Sequence, residues 1–378
     1  MRALKLHLAN IWRLGIKELW SLWRDPSMLF LIVFTFTFAV YTAGTSVPET
    51  LQGTPIAIVD EDDSALSARI FTAFYPPTFK TPTRLELPQV DPALDAGDYA
   101  LVMVIPPHFQ RDVLAGRRPA IQLNADATGM NQAFLGSGLA QQIVLGEVNE
   151  FLQGYREIAA SPVELVARMR FNPTLSNVWF NSLMELVNLI TMLSIILTGA
   201  ALIREREHGT VEHLLVMPVT PTEIMLAKVW SMGLVVLLAA VLSMHGIIMG
   251  VLQVPVDGSL WLFFGGSALH LFATTSMGIF MATLARNMPQ FGLLVMLVMM
   301  PLQMLSGGMT PRESMPPWVQ WLMSLAPTTH FTELSQAILY RGAGLSVVWP
   351  SLLALGAIGA VLFGLSLRWF RRAIVQMA

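Results

Sequence analysis

LMELVNLITMLSIILTGAALI, Leu183 to Ile203, runs without a break into Arg204-Glu-Arg-Glu207. A hydrocarbon core about 30 Å thick needs roughly 20 residues of helix, because every amide in lipid has to be bonded within its own segment. This stretch meets that requirement, and the charged run that ends it marks a membrane interface. Five more stretches read alike: about Met28 to Val47, Val229 to Leu252, Leu260 to Ala285, a fifth from Phe291, and about Ser346 to Leu367. The fourth is long enough to tilt. The fifth meets Pro301 and then Gly307-Gly308, so it is expected to break or re-enter, and the sixth carries Pro350 near its start.

Composition agrees with a membrane protein. Of 378 residues, 54% are hydrophobic and 13% charged, where a soluble chain carries about 25% charged residues. The mean hydropathy is +0.58. With no cysteine, disulfides, thiolate metal sites and cysteine nucleophiles are excluded. A net charge of −2 excludes a generally basic nucleic-acid binder. The four lysines, Lys5, Lys17, Lys80 and Lys228, none of them preceded by glycine, leave no phosphate-cradling G-x-x-x-x-G-K-[ST]. The chain therefore has no ATPase site of its own, and no cofactor is expected.

Short basic flanks set the orientation. Residues 1–27 hold Arg2, Lys5, Arg13, Lys17 and Arg24, the loop after the second crossing holds Arg204, Arg206 and Lys228, the next such loop holds Arg286, and the tail holds Arg368, Arg371 and Arg372. Loop 253–259 has none. Both termini are expected in the cytoplasm, and the first stretch reads as an uncleaved anchor.

The expected organisation is an α-helical membrane protein of six crossings with an α/β domain inserted after the first. Residues 1–27 form an amphipathic connecting helix, 28–47 the first crossing, 48–175 the outer domain with a long helix returning to the membrane, 176–367 the remaining crossings, and 368–378 a tail. Within the insert, Pro55 to Asp60, Tyr99 to Ile105 and Pro119 to Asn124 read as strands. Ser64 to Phe74, Asp91 to Gly97, Pro107 to Ala115 and Met130 to about Ala160 read as helices, the first marked by Asp62, Asp63 and Ser64. Strands alternating with helices imply a small mixed domain, and it has no glycine fingerprint for a nucleotide.

The loop 204–228 is the most informative part. Arg204 to Glu207 is a charged helix end, Gly209 suits a chain reversal, and a short amphipathic helix follows, stopped by Pro218 and restarted at Thr220-Pro221-Thr-Glu223. Leu214, Leu215 and Val216 would bury in a partner while Glu205, Glu207 and Glu212 attract its basic groups. An ordinary interfacial hairpin fits the same pattern.

The patterns E-R-E-x-G-T-x-E-x-L-L-x-x-P at 205–218 and T-P-x-E-I-x-x-A-K at 220–228 resemble the coupling loop of the ABC type-2 permease family, in particular its export subgroup with a large outer domain after the first helix. The resemblance extends over the whole chain, through R-D-P at 24–26, I-P-P-x-F-x-R-D-V-L-A-G at 105–116, L-S-G-G-M-T-P-R-E-S-M-P-P-W at 305–318 and A-P-T-T-H-F at 326–331. It implies a bacterial inner-membrane subunit, a separate cytoplasmic ABC ATPase as partner, a second permease copy or paralogue, and ATP-driven export. It suggests drugs or other lipophilic cargo and a periplasmic adaptor on the outer domain. It further implies that Glu205, Glu207, Gly209, Thr210, Glu212, Leu215 and Pro218, with Lys17 and Glu18 of the connecting helix, grip the ATPase. The apolar stripe of that helix, from Ile11 to Trp23, is by itself an interfacial anchor.

Polar groups within crossings are expensive unless paired or wetted. Glu185 is either an interfacial residue reaching outer water or a contact in the translocation path. His245 and His270 read as helix-to-helix hydrogen-bond partners, without spacing for zinc. Met296, Met299, Met300 and Met304 fall on one helical face, which suits packing, soft metal or greasy cargo. Gly307, Gly308 and Pro311 open an outer, non-spanning region, 306–345, that includes an amphipathic Trp318 to Leu325 and reads as a gate or a lid. The competing function is an ion-coupled secondary transporter using Glu185 or the histidines, against which stands the absence of an internal repeat.

Overall fold

The computed structural model describes residues 2–46, 53–126, 130–153, 176–207 and 219–377. The chain divides into two compact units, Met1–Val47 with Met169–Ala378, and Pro48–Arg168.

The first unit is a helical bundle. Helix α1 covers Arg2–Trp23, within the expected 1–27. Asp25 then caps the next helix, accepting from Met28 N at 3.1 Å, with Pro26 in its first turn. This explains R-D-P locally: the carboxylate satisfies an orphan amide and proline supplies none. That helix, α2, spans Pro26–Thr45.

The second unit holds a sheet of order β2-β1-β3-β4, with β1 Ile56–Asp60, β2 Thr83–Arg84, β3 Leu101–Ile105 and β4 Gln122–Ala125. Strand β1 pairs parallel to β2 and β3, and β3 pairs antiparallel to β4. Four strands replace the three expected; β2, two residues long, carries no periodicity to read. Helices α3 (Ala65–Ala73), α4 (Val90–Asp95), α5 (Phe109–Leu114) and α6 (Met130–Gln153) complete it. The N-terminal signal before α3 is realised as a capping box between Ser64 and Ser67. Every residue of β3 is buried, as a central strand covered on both faces requires. Leu101, Met103 and Ile105 join α3, α5 and α6 in one core, and Val102 and Val104 join Val90 of α4 in another.

In the bundle, α7 (Asn177–Glu207), α8 (Pro221–Val251), α9 (Leu260–Leu284) and α13 (Leu345–Met377) include spans long and apolar enough to cross a membrane, as does α2. The expected fifth crossing is a 17-residue apolar helix, α10, Met288–Met304, below that length. Two helices follow the glycine break: α11, Pro317–Met323, and α12, Pro327–Leu339. The sequence reading did not resolve α12, which packs Phe331, Leu334, Ile338 and Leu339 into the central core.

Helix α7 lies at the centre. Its contact with α9 is close because Gly278 lets the backbones approach; a Cβ there would stand 2.6 Å from the Ile195 carbonyl oxygen. Hydroxyls cross the same contact, with Ser194 Oγ donating to Thr274 Oγ1 at 2.6 Å and Thr191 Oγ1 bonded to His270 Nε2 at 2.9 Å. Small residues and interhelical hydrogen bonds are what hold helices together where lipid is as apolar as leucine.

Candidate functional site

The four consecutive charges at the end of α7 each engage a different element. Arg204 Nη1 pairs with Asp25 at the start of α2. Glu205 Oε1 accepts from Lys17 of α1 at 2.7 Å, and its Oε2 lies 2.7 Å from Lys228 of α8. Arg206 donates to the Ala285 carbonyl at the end of α9 at 2.6 Å. Glu207 Oε1 accepts from Met288 N, the first residue of α10, at 3.0 Å.

Lys228 is the centre of this arrangement. Its side chain is 2% exposed and its Nζ also donates to Glu18 Oε1 of α1 at 3.0 Å. Lys17 Nζ stands 3.7 Å from the same Glu18 oxygen. Two ammonium groups and two carboxylates therefore neutralise one another across three helices, which is the condition under which buried charge is tolerated. Burial pushes the Glu18 carboxyl above its ordinary range, opposed first by Lys228.

A second joint lies along α1. Glu223, buried in the first turn of α8, accepts from Asn10 Nδ2 at 3.0 Å and is bonded to His7 Nδ1 at 2.9 Å. Glu223 also closes a capping box with Thr220. Trp230 Nε1 donates to the Ile11 carbonyl at 3.2 Å, and its ring stacks on Trp12 with centroids 5.0 Å apart. Gly15 is required by this contact: a Cβ there would lie 2.0 Å from the Trp230 ring.

Of the expected coupling residues, the structure brings Lys17, Glu18 and Glu205 into one cluster and sets Glu207 against α10. Gly209, Thr210, Glu212, Leu215 and Pro218 lie outside the described residues. Glu18, an interruption of an apolar stripe in the sequence, is one of the most buried groups of α1. The residues that sequence reasoning missed as site members are Lys228, Arg204, Arg206, Asp25, Glu223 and His7. A lysine entering an apolar run was the available signal, since such a charge demands a partner.

Glu185 is half-buried on α7 and has no hydrogen bond among the described residues. Its neighbour Met184 supports the glycine break: a Cβ on Gly308 would stand 3.2 Å from the Met184 sulfur. Gln336 Nε2 of α12 donates to the Gly307 carbonyl at 3.4 Å, so the backbone freed by the break finds a protein partner. Gly307 itself has φ +96°, a conformation suited to glycine. Pro311 opens the 3-10 turn Arg312–Ser314.

The methionines differ in burial. Met296, Met300 and Met304 are exposed, whereas Met299 is 4% exposed in the core with Phe291 and Val295. Met296, Met299 and Met300, with Met28, Met192 and Phe291, line a cavity of about 460 Å³ between α2, α7 and α10. His270 holds the interhelical bond expected of it and stacks on Phe331 at 4.0 Å. His245 does not: it is exposed and bonds the Val241 carbonyl of its own helix at 2.9 Å, since Met244 and Ile248 take the inward face.

Residues 26–368 match the family model described as "ABC-2 family transporter protein". The chain is 59% identical over 372 residues, 98% of its length and all of the relative's, to the Inner membrane transport permease YhhJ of Escherichia coli K12. It is 30% identical over 97% of its length, and 99% of the relative's, to the Probable multidrug ABC transporter permease YbhR of the same organism. To the Probable multidrug ABC transporter permease YbhS it is 27% identical over 72% of its length and 73% of the relative's.

Proposed function

Because the chain belongs to the ABC-2 family of transporter proteins and is the membrane permease subunit of an ABC transporter, we propose that it takes its energy from a separate ATPase through the region where α1, α7 and α8 converge. It is a multi-pass inner-membrane protein, and family membership implies the ATPase subunit as partner. In this reading the termini and loop 204–228 face the cytoplasm, the α/β insert faces outward, and α10 completes a sixth crossing.

The observation that supports it most is that Arg204, Glu205, Arg206 and Glu207 each hold a different helix. A displacement of the loop that begins after Glu207 is thereby felt at α1, α2, α8, α9 and α10 together. Gly209, Thr210, Glu212, Leu215 and Pro218 form the surface offered to the ATPase, and Lys17, Glu18 and Glu205 transmit its movement. Glu185, Gly307, Gly308 and Pro311 form the outer gate, and Met296 and Met300 line the path. Two copies, or this chain and a paralogue, enclose that path, with lipophilic drug-like cargo and a periplasmic adaptor outside.

Co-reconstitution with the cognate ATPase in proteoliposomes tests this. Glu212→Ala is expected to leave the ATPase bound or weakly bound while export per ATP falls; export driven by a proton gradient without ATP would contradict it.

A further inference from the structure

The insert contains a cleft of about 1030 Å³ between α6, the β4 side of the sheet and the segment after α5. Its walls are apolar, formed chiefly by Phe109, Ile121, Leu139, Leu145 and Leu152. Leu139, Leu145 and Leu152 are among the exposed large hydrophobic residues of the chain, so the cleft is lined by surface that water meets at a cost. Its volume is at the upper end of the range for small-molecule sites, and a mostly apolar wall with a few convergent polar groups is the usual composition of one.

The charged side chains that line it carry one sign. Arg117 and Arg118 line the cleft and Arg111 precedes them. Among the described residues, Asp112 is the carboxylate that meets them, 3.3 Å from Arg111 Nε and 3.2 Å from Arg117 Nη1. Arg118 has no ion-pair partner among the described residues. Three guanidinium groups against one carboxylate leave a surplus of positive charge. The acidic groups of α6 are engaged elsewhere, Glu147 and Glu150 with Arg69 of α3 at 3.1 and 2.9 Å, which also pins α6 as a wall.

The geometry points to a binding site in the insert for a small amphiphilic anion, its apolar body in the cleft and its acid head at Arg117 and Arg118. An isolated apolar groove would accept any greasy surface; the guanidinium surplus selects an anion, since arginine forks match carboxylate and phosphate geometry. As the substrate class of the exporter this deepens the reading above and depends on the insert facing outward. The binding itself does not.

Gly138 supplies the test. It lines the cleft from α6, and a Cβ there meets no atom within 4 Å, so Gly138→Phe fills the cleft while removing a helix-weakening glycine. The full-length permease in nanodiscs, with both faces accessible, is photolabelled with diazirine-bearing palmitic acid or the matching neutral alcohol, and labelled peptides are identified by mass spectrometry. Expected is acid-selective labelling of 117–152, reduced about tenfold or more by Gly138→Phe and by Arg118→Glu, with labelling of the spans unchanged as internal control. Labelling of 117–152 that is indifferent to Gly138→Phe, or equal for acid and alcohol, overturns the proposal, as does its absence. Outward placement is scored separately, by whether the same label appears in intact spheroplasts given the acid outside.

Discussion

Lys228 Nζ lies 2.7 Å from Glu205 Oε2, with the lysine side chain 2% exposed. Removing one partner of such a pair leaves an uncompensated, largely buried charge, which costs about 3–5 kcal/mol. Lys228→Met is therefore expected to lower the detergent-solubilised unfolding midpoint strongly. Adding Glu205→Gln and Glu18→Gln to it is expected to recover part of the loss, because the stranded carboxylates are then neutral. A single variant as stable as the parent would remove the cluster from the account of the fold.

Gly15 and Trp230 make a second, steric relationship. Gly15→Leu places atoms where the indole ring now lies and is expected to lift α1 from α8, costing about 1–3 kcal/mol as overpacking does. The displacement is read by hydrogen exchange, which should rise in residues 7–20 of α1 and stay unchanged in the α/β insert.

Thr191 and His270 share a hydrogen bond at the core of the bundle. Thr191→Val keeps the shape and deletes the hydroxyl, leaving the imidazole one partner fewer. Interhelical bonds in membrane proteins average about 0.6 kcal/mol and reach about 1.7, so a loss within that range is expected by thermal or steric-trap unfolding. His245→Phe, at an exposed side chain that makes no hydrogen bond to another helix among the described residues and whose ring contact with Phe264 a phenyl can keep, is expected to change stability by less.

Much of this molecule was legible in its amino-acid order, for reasons that differ by region. The apolar stretches are long, so the helices that carry them were readable, although α8 begins eight residues before Val229 and α13 runs ten beyond Leu367, and the Ser64 cap and the apolar runs of β1 and β3 were equally plain. The partners of Arg204 to Glu207 were not. Asp25, Lys228, Ala285 and Met288 are distant along the chain, and no local pattern pairs a charge with its counterpart. The same limit hid the role of Glu18, whose burial depends on Lys228 arriving from another helix. Helix α12 escaped because its threonines and His330 dilute the apolar signal, although Thr328 and Thr329 are buried. Met299 and His245 show that a shared residue type is not a shared degree of burial.

Glu207 caps α10 through the Met288 amide, a contact of the kind worth about 1 kcal/mol at a helix start. Glu207→Ala is expected to speed hydrogen exchange over the first turn of α10 without affecting α8, and Glu207→Gln to retain part of the protection. Equal exchange in all three proteins would sever the proposed mechanical link between loop 204–228 and α10.

The natural absence of cysteine permits single-site chemistry at the loop itself. The most direct measurement places a photocrosslinking amino acid at Leu215 in an assembly that exports, and asks what it captures. Expected is an adduct with the ATPase subunit that a probe at Met309 does not form. An exporting assembly with no such adduct, or a Leu215→Cys variant modified by an impermeant reagent from the outer side, would contradict an energy supply through this intracellular contact.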